Sequence, residues 1–246
     1  MSTSNIKINS KRKEILEDFQ KKYNLKFNNI NLLNQAFIHT SYTNENNLDV
    51  QMSYEKLEFM GDAVLKLSVS EFLYENFKNY KEGELTKLRA EIVSDNNIAN
   101  YAKKIGLKDL IMLGENEKKQ GGGDKSSILA CSFEALLGAI LLENKEMGYK
   151  TAKEFLRKNF IDDILNIEKN IGYLNPKAIL QEYTQSLNCK LPDYTLIKEE
   201  GQAHNKTFFV EVSFENKILG KGQGKTIKKA EANAAYEALI KLKVIT

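Results

Sequence analysis

The sequence predicts two domains of different class: an all-α unit followed by a small α+β unit in the order α-β-β-β-α. Three observations carry this. A chain of 246 residues suits one large or two modest domains, either able to bury a core. From Ile15 to Leu165 apolar residues recur at helical spacing, as in Ala63, Val64, Leu67 and Phe72, with no sustained strand alternation. After Ile171 and Gly172 the period changes, and Phe208, Val210, Val212 and Phe214 alternate with polar neighbours. The expected domains are residues 1–170 and 171–246.

Asn-rich or Gly-rich breaks at Asn44 to Asp49, Gly83, Gly114 and Gly121 to Gly123 divide the first domain into about seven helices. Ala36 to Tyr42 reads as part of an early apolar helix, and Leu85 to Ser94 as a helix preceded by a turn that holds Glu82. Linker residues near Asn170 to Leu174 come next. Asn175 and Pro176 then read as the N-cap and first position of a helix whose apolar face is Ala178, Ile179 and Tyr183. Tyr194 to Glu199, Thr207 to Phe214 and Lys217 to Gly222 are the strands, with Glu215 and Asn216 as a tight hairpin turn. A last helix from about Thr226 to Lys243 buries Ala230, Ala234, Ala235, Ala238 and Leu239.

Hydrophobic residues at 42% and charged residues at 28% exclude a disordered or fibrous chain. The first thirty residues are Lys-rich and polar, unlike a secretory signal, and no uncharged apolar run approaches a membrane span. The expectation is a cytoplasmic protein without membrane partners or organic cofactors. Cys131 and Cys189 are too few for a disulfide framework or a thiolate zinc site, so both are expected as free thiols. The net charge of +3 says little by itself, but its distribution is uneven. Residues 174–246 hold eleven Lys against eight acids, whereas residues 1–173 balance 25 basic with 25 acidic groups. An acidic site and a basic platform can therefore share one chain.

Glu55, Glu58 and Asp62 stand at offsets of three, four and seven, which share one helix face at about 100° per residue. Leu57, Met60, Val64 and Leu65 point elsewhere and can pack. Carboxylates on one stripe repel one another, and a hard cation such as Mg²⁺ relieves this, although such a stripe alone is more often a solvated acidic face. Glu134 is the only acid in the apolar stretch Ile128 to Ile140. A carboxylate there is costly unless paired or metal-bound, the alternative being a surface Glu at a domain edge. His39 reads as a hydrogen-bonded structural residue with no part in catalysis.

Taken in order, these segments resemble the ribonuclease III family. Glu55 to Leu65 is similar to its signature stretch; Glu82-Gly83-Glu84-Leu85, Lys87-Leu88-Arg89-Ala90, and Ser127-Ile128-Leu129-Ala130 through Glu134 to Ile140 are similar to its later blocks. Ala36 to Tyr42 and the C-terminal unit extend the resemblance over nearly the whole chain. The resemblance implies a homodimeric endonuclease that cleaves double-stranded RNA with Mg²⁺, or Mn²⁺ as a substitute, leaving 5′ phosphates, 3′ hydroxyls and short 3′ overhangs. Structured precursors such as ribosomal and messenger RNA are the implied substrates. It places Glu58, Asp62 and Glu134 at metal positions, with Asp62 and Glu134 catalytic, Glu55 and Glu82 supporting, and Phe59 docking into the partner subunit.

One departure matters. The family has an aspartate three residues before the glutamate matched by Glu134, and this chain has Cys131. A thiol is soft and normally protonated, so Cys131 is at most a poor additional ligand and Mg²⁺ affinity is expected to fall. Ser132 is on the wrong face and Asp124 lies in the preceding loop, so neither is an obvious replacement. The competing expectation is a catalytically weakened protein that mainly binds duplex RNA.

Duplex RNA offers a wide minor groove lined by 2′-hydroxyls and flanked by phosphates, recognised by shape. Lys225, Lys228 and Lys229 cluster at the start of the last helix, where the helix dipole adds to their pull on phosphate. Gln181 and Glu182 on the preceding helix can bond 2′-hydroxyls, and the Gly201 to Lys206 loop with His204 can enter a second groove. Singly these are ordinary surface residues. In this order they resemble a double-stranded-RNA-binding domain.

Overall fold

The computed structural model describes residues 8–169, 176–202 and 206–245. The chain divides into two compact units, Met1–Leu165 and Asn166–Thr246. The expected linker at 170–174 and the cap Asn175 lie outside the described residues.

The first unit is helical: α1 (Ser10–Tyr23), α2 (Ile30–Gln35), α3 (Thr40–Glu45), α4 (Glu55–Asn76), α5 (Glu82–Ile92), α6 (Asp95–Lys104), α7 (Glu115–Lys119), α8 (Ser126–Glu143) and α9 (Gly148–Lys169). The described residues thus hold more helices here than the seven expected, because α2, α3 and α7 have six residues or fewer. Helices that short show no readable apolar period.

α8 is the centre of this unit. Every residue from Ile128 to Ile140 is buried except Cys131 and Glu134. α8 is long and apolar enough to cross a membrane by composition, yet its apolar surface is taken up by neighbouring helices. α4 lies against it at backbone contact: a Cβ on Gly61 would stand 1.6 Å from the Glu134 carbonyl oxygen, and one on Gly138 would stand 2.0 Å from that of Leu57. Only glycine at both positions permits this approach. α6 docks on α8 through Tyr101, whose ring centroid lies 6.0 Å from that of Phe133, and Phe160 of α9 packs against both at 4.9 and 5.3 Å.

Three local expectations change. Leu67 is 51% exposed, because the buried stripe of α4 runs through Leu57, Gly61, Val64, Leu65, Ser68, Val69 and Leu73. Ala36 to His39 is not helical: His39 N–H donates to the Met112 carbonyl at 3.0 Å and Met112 N–H to that of Phe37 at 2.7 Å. His39 is the N-cap of α3, its Nδ1 accepting from Ser41 N–H at 3.1 Å, and its ring packs on Tyr54. Finally, α5 begins at Glu82, three residues before the expected Leu85, because Glu84 caps its start by accepting from Lys81 N–H at 2.7 Å.

The second unit contains α10 (Pro176–Asn188), β1 (Asp193–Glu200), β2 (Thr207–Phe214), β3 (Lys217–Gly224) and α11 (Ile227–Lys241). The sheet is antiparallel in the order β1-β2-β3. Glu215 and Asn216 turn the β2–β3 hairpin with φ of 47° and 62°, the two successive left-handed residues of a type I′ turn. Leu180 of α10, Val210 and Val212 of β2, and the Ala230, Ala234, Ala235, Ala238 and Leu239 face of α11 form its core.

Candidate active site

Glu58 and Asp62 lie one turn apart on α4, and Cys131 and Glu134 one turn apart on α8. The glycine-mediated contact between the helices brings the two pairs together. Glu134 feels the charges of Asp62 and Glu58, and the Cys131 thiol donates to the Glu58 carboxylate. All four side chains are partly buried, and Cys131 and Glu134 are the opening in an otherwise closed face of α8.

The electrostatics are those of a site short of positive charge. Burial pushes the Glu134 carboxyl up to about 7, with Asp62 and Glu58 adding to the rise and Lys66 opposing it. Glu58 is also raised, first by burial and then by Glu55, Asp62 and Asp95, while the thiol's hydrogen bond works the other way. Burial and the Glu58 charge push Cys131 up to about 12, so the thiol stays protonated and offers no anionic ligand. Lys66 Nζ donates to Asp62 Oδ2 at 2.8 Å, and its charge is the one that opposes the rise of Glu134. Half-buried carboxylates that repel one another are hard oxygen donors of the kind a divalent cation takes, and Glu58, Asp62 and Glu134 supply that chemistry. Among the described residues no three acids, thiols or imidazoles converge into a ready-made cage.

The remaining acids divide. Glu55 is exposed at the start of α4 and acts on Glu58 by charge. Glu82 lies beside a groove with Ser70, Glu71 and Tyr74 of α4 and Arg89 of α5, its Oε1 accepting from Thr86 Oγ1 at 2.8 Å. Neither Ser132 nor Asp124 replaces a ligand: the buried Ser132 hydroxyl donates to the Ala36 carbonyl at 3.3 Å, and Asp124 pairs with Lys108 at 2.6 Å. Two charges that act on the site escaped sequence reasoning. Lys66 had a signal, since it stands four residues after Asp62 on one helix. Asp95 had none, since it looks like any first-turn helix acid, and its charge adds only the smallest of the effects that raise Glu58, Cys131 and Glu134.

In the second unit, Lys225, Lys228 and Lys229 are exposed around the start of α11, where Thr226 caps the helix by accepting from Lys229 N–H at 3.2 Å. Lys225 Nζ also donates to Thr207 Oγ1 at 3.1 Å. Gln181 and Glu182 are exposed on α10. His204 lies outside the described residues.

A helical unit with acids gathered between two packed helices is followed by an α-β-β-β-α unit with lysines at a helix start, and the match of the two units to a ribonuclease-III-like domain and a double-stranded RNA binding motif makes the chain an endoribonuclease. Residues 29–164 match the Ribonuclease-III-like family and residues 176–242 the double-stranded RNA binding motif. Ribonuclease 3 of Staphylococcus epidermidis is 41% identical over 237 residues, covering 94% of this chain and 95% of that protein. The enzyme of the same name from Enterococcus faecalis is 40% identical over 230 residues, covering 92% and 96%. The nuclease domain of ribonuclease III from Campylobacter jejuni superposes with a TM-score of 0.53 at 37% identity, covering 59% of this chain and 98% of that one. The chain belongs to the ribonuclease III family. Relatives that carry an enzyme's name over this much of the chain side with a nuclease rather than a binder that does not cleave.

Proposed function

We propose that the protein cleaves double-stranded RNA in a divalent-cation-dependent reaction at Glu58, Asp62 and Glu134, leaving 5′-phosphate and 3′-hydroxyl ends. The observation that carries this is the pairing of Glu58 and Asp62 with the one acid that breaks the apolar run of α8. Bound Mg²⁺, or Mn²⁺ in its place, supplies an acidified water for in-line attack and charge stabilisation for the departing 3′ oxygen. Glu134 and Asp62 orient the attack and are the catalytic pair, Glu58 helps hold the cation, and Glu55 and Glu82 support from the periphery. Cys131 keeps its proton and holds one side of Glu58.

The duplex is held by the second unit. Lys225, Lys228 and Lys229 take phosphates, and Gln181, Glu182 and the loop carrying His204 reach the minor grooves. Two copies act together. Phe59, Leu67 and Tyr74 are 78%, 51% and 71% exposed on one stripe of α4, an apolar face suited to a second copy. The Campylobacter jejuni nuclease domain is itself described by a region involved in dimer formation. Precursor ribosomal and messenger RNAs in the cytoplasm are the substrates this reading supplies.

The test is cleavage of a labelled long RNA duplex in Mg²⁺ and in Mn²⁺, with single-stranded RNA and Glu134→Ala as controls. Duplex-specific cutting lost in Glu134→Ala establishes the reading; an intact duplex despite tight binding overturns it.

A further inference from the structure

A groove runs between the second half of α4 and α9, and none of Glu58, Asp62 and Glu134 lines it. Its deepest part is a cavity of about 40 Å³ walled by Ser68, Val69 and Phe72 of α4 and by Leu156, Arg157 and Ile164 of α9. It continues as an open trough past Asn76, Ile161 and Leu165, edged by Glu154 and Lys158. At about 100° per residue Phe72 stands about 200° round α4 from Tyr74, so a second copy docked on the Phe59, Leu67 and Tyr74 stripe sits on the other side of the helix. The rim charges are unbalanced. Lys153 is shared by Glu71 and Glu75 at 2.9 and 3.5 Å, whereas Arg157 and Lys158 are exposed and make no ion pair among the described residues. Against these two cations the lining sets one unpaired acid, Glu154.

We propose that this groove docks an acidic amphipathic helix of another protein, with one apolar side chain seated over Ser68 and carboxylates set against Arg157 and Lys158. Size and shape select this occupant. A cavity of about 40 Å³ is far below the roughly 300–1,000 Å³ of a small-molecule site, so it takes a side chain and not a whole ligand. From Ser68 to Asn76 α4 contributes about 12 Å of wall, and from Lys153 to Leu165 α9 contributes about 18 Å, the length of two to three helical turns. An elongated apolar trough of this kind receives the i, i+3, i+4 and i+7 side chains of a helix laid along it. The two free cations give the partner its sign, since a basic helix would set like charge against them.

The probes are two labelled synthetic helical peptides with leucine at every third or fourth position, flanked by glutamate in one and by lysine in the other. Each is titrated into the full chain and followed by fluorescence anisotropy. The acidic peptide should bind about tenfold more tightly than the basic one, and more weakly as salt rises. Arg157→Glu combined with Lys158→Glu should reverse that order, and both residues are exposed, so the variant keeps its fold. Ile161→Ala should weaken the acidic peptide about fivefold without changing the order, and wild-type binding by this variant would place the peptide elsewhere. Equal binding of the two peptides, or an order that the double reversal leaves unchanged, would overturn the proposal. So would failure of both peptides to bind, and octanoate binding in their place would make the cavity a site for a small amphiphile. A change of the double variant from dimer to monomer in sedimentation would give the groove to a second copy and overturn the proposal as well.

Discussion

Gly61 of α4 and Glu134 of α8 meet backbone to backbone, with only 1.6 Å between a Cβ built on Gly61 and the Glu134 carbonyl oxygen. The contact that builds the core therefore also sets the spacing of the acids on either side of it. Gly61→Ala must push α4 away from α8 and should destabilise the protein by about 3 kcal/mol, at the upper end of overpacking penalties. Gly83→Ala is the control: it lies in α5 with nothing within 4 Å of the added methyl and should stabilise by about 0.5 kcal/mol. Urea denaturation of both variants checks this, and wild-type stability in Gly61→Ala would show that the helices do not meet as described.

The Glu134 carboxyl is held at about 7 in the folded protein against an ordinary value of 4.5. An acid whose folded value is raised lends most stability below its unfolded value and loses it as pH rises through the folded one. The metal-free protein should therefore lose thermal stability between about pH 5 and pH 8, and Glu134→Gln should lose less over the same window. Adding Mg²⁺ should flatten the wild-type curve by relieving the charge. Parallel melting curves for the two proteins across that range would contradict the burial of this carboxyl.

Cys131 holds its proton because burial and Glu58 both oppose thiolate formation. Replacing it by aspartate adds a hard oxygen to the α8 face, so Cys131→Asp should raise duplex cleavage at limiting Mg²⁺ and change little at saturation. Coincident Mg²⁺ titrations of rate for the two proteins would rule this out. A wild-type preference for Mn²⁺ over Mg²⁺ that Cys131→Asp abolishes would assign the preference to the thiol.

How much of this was legible follows from the range of each interaction. The alternation of Phe208, Val210, Val212 and Phe214 and the alanine face of α11 are local, and both are found at the residues the sequence indicates. The spacing of Glu58 and Asp62 and the isolation of Glu134 are local as well. What joins them is not, since the approach of α4 to α8 depends on Gly61 and Gly138, which are 77 residues apart and look like ordinary helix-weakening residues until their partners are known. Leu67 misled in the opposite sense: it fits the helical period, but sits with Phe59 and Tyr74 on the exposed side of α4.

That exposed stripe makes its own prediction. Phe59, at 78% exposure, is the largest apolar group on the face proposed to meet a second copy. Phe59→Ala should leave the helical fold intact, because the side chain contributes nothing to the core of its own chain, yet shift the protein from dimer toward monomer. Sedimentation equilibrium reads the change, and an unaltered dimer would place the subunit contact elsewhere.

Lys228 and Lys229 stand exposed in the first turn of α11, where the helix dipole and its free N–H groups favour a phosphate. Contacts of this kind displace condensed counterions, so their loss shows in the salt dependence of binding as well as in its strength. Lys228→Ala and Lys229→Ala should each weaken duplex binding regardless of RNA sequence and lower the slope of log affinity against log salt by about 1. Neither change touches the acids of the first unit, so cleavage at saturating RNA should persist in each variant. If affinity fell with the slope unchanged, these lysines would act through the fold of the domain and not through phosphate.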